Sequence, residues 1–188
     1  MGAFLKRRYA SAMRTFRHEQ RRVAVGMAAA LSVSVAAVTV ALLLDGGEPV
    51  GFEDRLASAL QIAIVPLAWI AASIGSVARL RFLSERDISG SAAADPSPKV
   101  RLAIARLQNT FEQGVLAIGA YLALAATLPR STTLVATLAV LFSLGRILFW
   151  IGHEHGAAGR AFGFALTFSP TIGALVVALG TIAIGAAA

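Results

Sequence analysis

Apolar and polar positions in this chain are sorted into blocks. Residues 23–44 run for 22 positions without a charge. At 1.5 Å per helical residue that is about 33 Å, enough to cross the hydrocarbon core of a bilayer. A second block, 56–78, contains Pro66, which a membrane helix tolerates because neighbouring groups satisfy the freed carbonyl. The third, 102–128, is interrupted by Arg106, Asn109, Glu112 and Gln113. The fourth, 132–152, carries Arg146, and the fifth, 161–188, has Pro170 near its start. Continuous runs predict helices, because a barrel would need repeated alternating strands of about 10 residues. The pattern predicts an all-α integral membrane protein with five spans.

The connections differ in kind. Residues 45–55 hold four acids and Arg55; residues 84–99 are polar with Pro96 and Pro98; 129–131 is a tight turn; 153–159 is Gly-rich. No internal repeat and no soluble domain is evident. Three parts follow: a basic amphipathic segment (1–22), a first transmembrane helix (23–44) and a four-span unit (56–188).

Composition agrees. The chain is 57% apolar and 14% charged, with a mean hydropathy of +0.73. Soluble domains run near half apolar and a quarter charged, so an ordinary soluble enzyme and a disordered protein are both excluded. With no Cys, a disulfide scaffold, a thiolate metal site and a cysteine nucleophile are excluded too.

The net charge of +7 suggests nucleic acid until its positions are read. Lys6, Arg7, Arg8, Arg14, Arg17, Arg21 and Arg22 precede the first span; Arg79, Arg81, Arg86, Lys99 and Arg101 surround the second-to-third connection. Only Arg55 and Arg130 fall on the other side. Basic loops stay cytoplasmic. The N-terminus and the His153 connection are therefore expected in the cytoplasm and the C-terminus outside, in an inner or plasma membrane, with no nucleic-acid partner. Within the head, Leu5, Tyr9, Ala12, Met13 and Phe16 share one helical face, which suits an interfacial helix on anionic lipid. A basic tail that only enforces topology is the alternative. Gly26, Ala30 and Ser34, and Ala174 and Ala178, repeat every four residues, a spacing that lets membrane helices associate.

Charge at membrane depth is expensive and marks function by default. Arg106, Asn109 and Glu112 are spaced by three, and Gln113 lies four beyond Asn109, so they neighbour one another on one helical face. An ionised Glu112 needs a partner: Arg106 is nearly two turns away, leaving Arg146 or a residue of another subunit. A buried polar network that fixes helix packing is the competing reading. Arg146, Phe149, Trp150 and His153 fall at i, i+3, i+4 and i+7, followed by Arg160. Arginine at such a boundary either snorkels to headgroups or grips an anion with its planar fork. His153 and His155 point about 200° apart on a helix and do not chelate together there, and two further metal ligands are not obvious.

Together these motifs resemble the MAPEG family, membrane proteins of eicosanoid and glutathione metabolism, in a bacterial-type form with an extra N-terminal span. Asn109 and Glu112 match the family's Asn-x-x-Glu. The stretch from Arg146 through Phe149, Trp150, Gly152 and His153, then six residues to Arg160, matches a second family pattern without a gap. Arg79 and Arg81 sit where the family carries basic residues. The resemblance covers about 56–188. It implies a four-helix bundle assembled as a homotrimer, with glutathione, or another low-molecular-weight thiol, held between subunits near the cytoplasmic face. Arg81, Arg106, Asn109, Glu112, Gln113, Arg146, Phe149 and His153 would bind it, and Arg160 would stabilise the thiolate as the catalytic residue. A lipophilic electrophile would enter from the bilayer, making the protein a glutathione S-transferase-like or peroxidase-like enzyme. No metal is implied. The chain departs from the pattern in three ways: Ala105 stands where the hallmark arginine is expected, Phe149 and His153 replace tyrosines, and the span at 23–44 is additional. These departures motivate the alternative, a non-catalytic trimeric lipid-binding or scaffold protein of the same fold.

Overall fold

A computed structural model describes the backbone of residues 2–45, 48–90 and 95–187, and the side chains of these from residue 15 to residue 185. The amphipathic face proposed for Leu5, Tyr9, Ala12 and Met13 lies outside the described side chains. Among the described residues six α-helices follow one another: α1 Gly2–Leu44, α2 Phe52–Ile62, α3 Ile64–Phe82, α4 Pro98–Thr127, α5 Thr132–Gly152 and α6 Gly156–Ala187, with a 3-10 turn His153–His155 between the last two. No strand occurs among the described residues.

Helix boundaries have local causes. The predicted second span is divided at Ala63. Pro66 has no N–H to give the carbonyl of Ile62, and its ring crowds that carbonyl, so the chain turns and restarts. The third span begins earlier than its apolar run because Pro98 opens α4 in the first turn, where a missing N–H is harmless. At the other end of α4, Pro129 cannot donate to the carbonyl of Ala125. Arg55 takes its place, with Nε donating to that carbonyl at 2.5 Å and Nη1 to Val50 at 3.1 Å. Between α3 and α4, Asp87 is a 5% exposed staple. It accepts from the Ser84 hydroxyl at 2.7 Å and from the backbone N–H of Ser97, the residue before α4, at 2.9 Å.

Helices α3–α6 form a bundle, with α2 continuing α3. Its core holds Tyr121 and Leu124 of α4, Val135, Leu138 and Phe142 of α5, and Ala174 and Ala178 of α6. The outside is apolar as well: Leu43, Ile64, Val140, Ile151 and Leu179 are all exposed, as a hydrocarbon solvent permits. Among the described residues three stretches are long and apolar enough to cross a membrane: Thr15–Leu44, Phe52–Phe82 and Thr132–Gly185, the last containing α5 and nearly all of α6. The polar positions of α4 keep it out of that set.

Helix α1 is a single helix through both the basic segment and the first span, and it packs chiefly on α6 and secondarily on α5. The stripe of small residues is what touches. A Cβ on Gly26 would stand 3.5 Å from Ala161, and Ala30 is fully buried with Leu141, Ala165 and Leu166. Rising numbers on α1 meet rising numbers on α6, so the two run parallel. Ala174 and Ala178 are likewise occupied inside the chain, in the bundle core.

Candidate functional site

Two glycine pairs bring α5 and α6 together. A Cβ on Gly145 would meet the Thr167 methyl at 2.5 Å and the Gly163 carbonyl at 2.9 Å. A Cβ on Gly163 would overlap the Phe149 backbone nitrogen, and one on Gly152 the Gly159 carbonyl. Backbones this close require glycine. The result is that Arg146, Phe149 and His153 of the α5 side lie directly beside the first turns of α6.

Arg146 is fully buried. Its Nη1 donates to Asn109 Oδ1 at 2.8 Å and its Nη2 to Thr167 Oγ1 at 2.5 Å. Thr167 in turn faces Gln113 Oε1 and the Phe164 carbonyl, both at 2.9 Å. The guanidinium carbon stands 4.7 Å from the Phe149 ring centroid and 5.6 Å from that of Phe142. One charge thus ties α4, α5 and α6 through neutral polar groups and aromatic faces. Charge-assisted hydrogen bonds are roughly twice as strong as neutral ones. Sequence reasoning missed Thr167; the available signal was a hydroxyl in the apolar run of the last span.

Beside this network lies a cleft of about 380 Å³ lined by Ala105 and Asn109 of α4, Phe149, His153, Ala157, Arg160 and Phe164. Val23 and Met27 of α1, with Ala161 of α6, complete its wall. Its size falls within the ordinary range of small-molecule sites. Arg160 is exposed in it, and among the described residues no carboxylate pairs with that guanidinium. Asn109 points its oxygen at Arg146, which leaves its amide N–H₂ to donate. His153 stacks edge-on against Phe149, with centroids 4.9 Å apart.

The other predicted site residues fall elsewhere. Arg106 turns to the opposite side of α4 and α5. Its Nη2 donates to the Trp150 carbonyl at 3.0 Å and pairs with Glu154 at 3.1 Å. That residue, with Arg79, Lys99 and Trp150, lines a separate groove of about 530 Å³. Gln113 is buried and contributes through Thr167 rather than by facing the cleft. Glu112 meets neither arginine: it is exposed and accepts from Gln108 Nε2 at 3.1 Å. Adjacent residues on a helix diverge by about 100°, so Glu112 and Gln113 cannot both face inward. Arg81 lines neither cavity. His155 is exposed on the 3-10 turn, and among the described residues no three metal-ligating side chains converge.

A contact at the start of α6, next to the cleft residue Ala157, lies outside the predicted set. Glu19 of α1 accepts the backbone N–H of Ala158 at 3.1 Å, in the first turn of α6 and two residues before Arg160. A carboxylate there complements the positive end of the helix dipole.

Comparison with curated proteins and with solved structures returned no match. A protein-family model, described as MAPEG family, matches residues 56–180, about two thirds of the chain. It covers α3–α5, most of α2 and all but the end of α6, together with every cleft residue except Val23 and Met27. The chain belongs to the MAPEG family, and with it to the membrane proteins of glutathione and eicosanoid metabolism.

Proposed function

We propose that this protein is a membrane-embedded thiol transferase that activates glutathione, or a related low-molecular-weight thiol, for attack on a lipophilic electrophile. The observation that carries the reading is the cleft in which Asn109, Phe149, His153 and Arg160, which has no carboxylate partner among the described residues, converge from α4, α5, the 3-10 turn and α6. The residues suit a small anionic thiol. Arg160 offers a cation with free donors, and the Asn109 amide offers a donor held in place by Arg146. The bound thiol supplies a sulfur nucleophile. A free thiol has a pKa of about 8.5, lowered by adjacent positive charge, and Arg160 provides that charge at the mouth of α6. Phe149 and Phe164 supply the apolar wall that keeps water from competing.

The basic end of the bundle, carrying Arg79, Lys99, Arg106 and Arg160, is the cytoplasmic end in this reading. Arg55 and Arg130 lie at the other end, and the C-terminus is outside. Assembly as a homotrimer is part of the proposal. Glu112 and Gln108 are exposed beside Phe111 and Val115 at membrane depth, where a carboxylate facing lipid is costly and a facing subunit relieves it.

The test is conjugation of glutathione to an apolar electrophile by the protein in mild detergent. Arg160→Ala should lower the rate at pH 7 at least tenfold with the unfolding temperature unchanged. Raising the pH towards 9 should restore much of it, because the thiol then ionises unaided. Equal activity of the two proteins at pH 7 overturns the role of Arg160. A second reading, a non-catalytic lipid-binding protein, is favoured by Phe149, which has no hydroxyl to offer a thiol, and by the outward Glu112. Saturable lipid binding with no thiol turnover between pH 6 and 9 would establish it instead.

A further inference from the structure

The wall that α1 gives the cleft continues beyond it. Val23, Met27, Leu31, Val38 and Leu42 are separated by four, four, seven and four residues and so share one face. The first two line the cleft of Arg160. The other three close a second cavity of about 310 Å³ against Leu124 of α4 and Gly173 and Val177 of α6. Among the described residues its only polar side chains are Ser169 and Ser34, and the Ser34 hydroxyl donates to its own helix at Ala30, 2.8 Å away. No cation, carboxylate or amide of the described residues lines it, so hydrocarbon is the chemistry it accepts. The strip between the two cavities is open on its outer side: Met27 is 40% and Leu31 50% exposed. From the level of residue 25 to that of residue 36 is about 16 Å along the helix.

We propose that α1, which the family match does not include, builds a tail-binding chamber for a single-chain amphiphile. The reactive end of that amphiphile lies in the Arg160 cleft. Its hydrocarbon chain runs along Met27 and Leu31 into the chamber. This inference rests on the proposed thiol chemistry for the identity of the reactive end, and on the chamber alone for the tail. Headgroup and substrate class follow from the geometry: one polar end, one chain, and a length of about 16 Å between the cavity centres.

Gly173→Leu supplies the test. Gly173 lines the chamber and a Cβ there meets nothing within 4 Å, so a leucine is accommodated at the chamber wall without moving backbone. Hexadecanoic acid with a diazirine near its terminal methyl should label residues 31–42 or 169–177 of the wild type. Labelling should fall at least tenfold in Gly173→Leu and persist in Gly180→Leu, a site that is equally open but outside the chamber. In conjugation assays Gly173→Leu should lower kcat/KM about tenfold for a sixteen-carbon electrophile and leave a six-carbon one unchanged. If Gly173→Leu fails to fold, Val35→Trp narrows the same chamber from the α1 side. Undiminished labelling in the variant that folds overturns the proposal. So does labelling by a two-chain phospholipid probe that excess hexadecanoate does not displace, which assigns the chamber to bulk lipid. Labelling as expected, with no thiol turnover in any protein, upholds the chamber and overturns the proposed transferase.

Discussion

Thr167→Val isolates the energetics of the buried arginine. Valine replaces a hydroxyl with a methyl and opens no cavity, so the packing against Gly145 is retained. What is lost is the acceptor for Arg146 Nη2 and a donor facing Gln113 Oε1. Arg146 is fully buried and Thr167 is 1% exposed, so water does not replace either partner. A hydrogen bond to a charged group is worth about 1.5–3 kcal/mol and a neutral one about 1 kcal/mol. The expected loss is therefore about 2.5–4 kcal/mol. For a chain of this length, 1 kcal/mol moves Tm by about 2–4 °C, giving a fall of roughly 5–15 °C in mild detergent, followed by circular dichroism. The decisive arm is a double-mutant cycle. In Arg146→Met no guanidinium is left to strand, so adding Thr167→Val to it should cost about 1 kcal/mol. The coupling should be at least about 1.5 kcal/mol. Thr167→Ser, which keeps the hydroxyl, should stay within about 1.5 kcal/mol of wild type. A Thr167→Val protein within 0.5 kcal/mol of wild type (the ordinary range for surface changes), or strictly additive effects, would refute the network.

Three further outcomes are expected. Gly163→Ala should destabilise by about 3 kcal/mol or more, above the usual cost of overpacking. Its Cβ meets the Phe149 backbone rather than a movable side chain, and normal unfolding of the purified variant would contradict this. Glu19→Ala should cost about 1 kcal/mol, the worth of a helix-end side-chain cap. Glu19→Gln, which keeps an acceptor, should recover most of that, and hydrogen exchange at Ala158 reads the difference directly. Asp87 has its carboxyl held down to about 2 by the Ser84 hydroxyl and by the backbone and side chain of Ser97. Its folded value is below the ordinary 3.8, so its contribution is complete above about pH 4 and fades as pH falls towards 2. The protease resistance of the 83–97 loop should follow that course in wild type and lose it in Asp87→Asn.

How legible each part was in sequence depended on whether its cause was local. The fourth span, 132–152, is α5 residue for residue, because an uninterrupted apolar run bounded by Pro129 and Gly152 leaves little choice. The second span was read as one helix, since hydropathy does not register that Pro66 strands the carbonyl four residues before it. The site was half visible. Spacing put Arg146, Phe149, Trp150 and His153 on one stripe; Phe149 and His153 do line the cleft beside Arg146, whereas Trp150 turns to Trp69 and the groove of Arg106. It could not decide which of Glu112 and Gln113 turns inward, because the partner that receives Gln113, Thr167, lies 54 residues further along the chain on another helix. Arg106 was grouped with Asn109 by the same three-residue spacing, yet the Trp150 carbonyl and Glu154 draw it to the far side of α5. The small-residue stripe of α1 signalled close helix contact, and no local rule says whether the partner belongs to the same chain.

The contact between Glu19 and Ala158 joins groups 139 residues apart. At about 5–20 residues per second of synthesis, α1 leaves the ribosome roughly 7–28 s before the first turn of α6 exists. Through that interval Gly26 and Ala30 lack their α6 partners, Ala161 and Ala165, and of the Ala30 cluster only Leu141 of α5 has been made. The wall that the first helix gives the cleft therefore meets its other side only once the last helix has been synthesised.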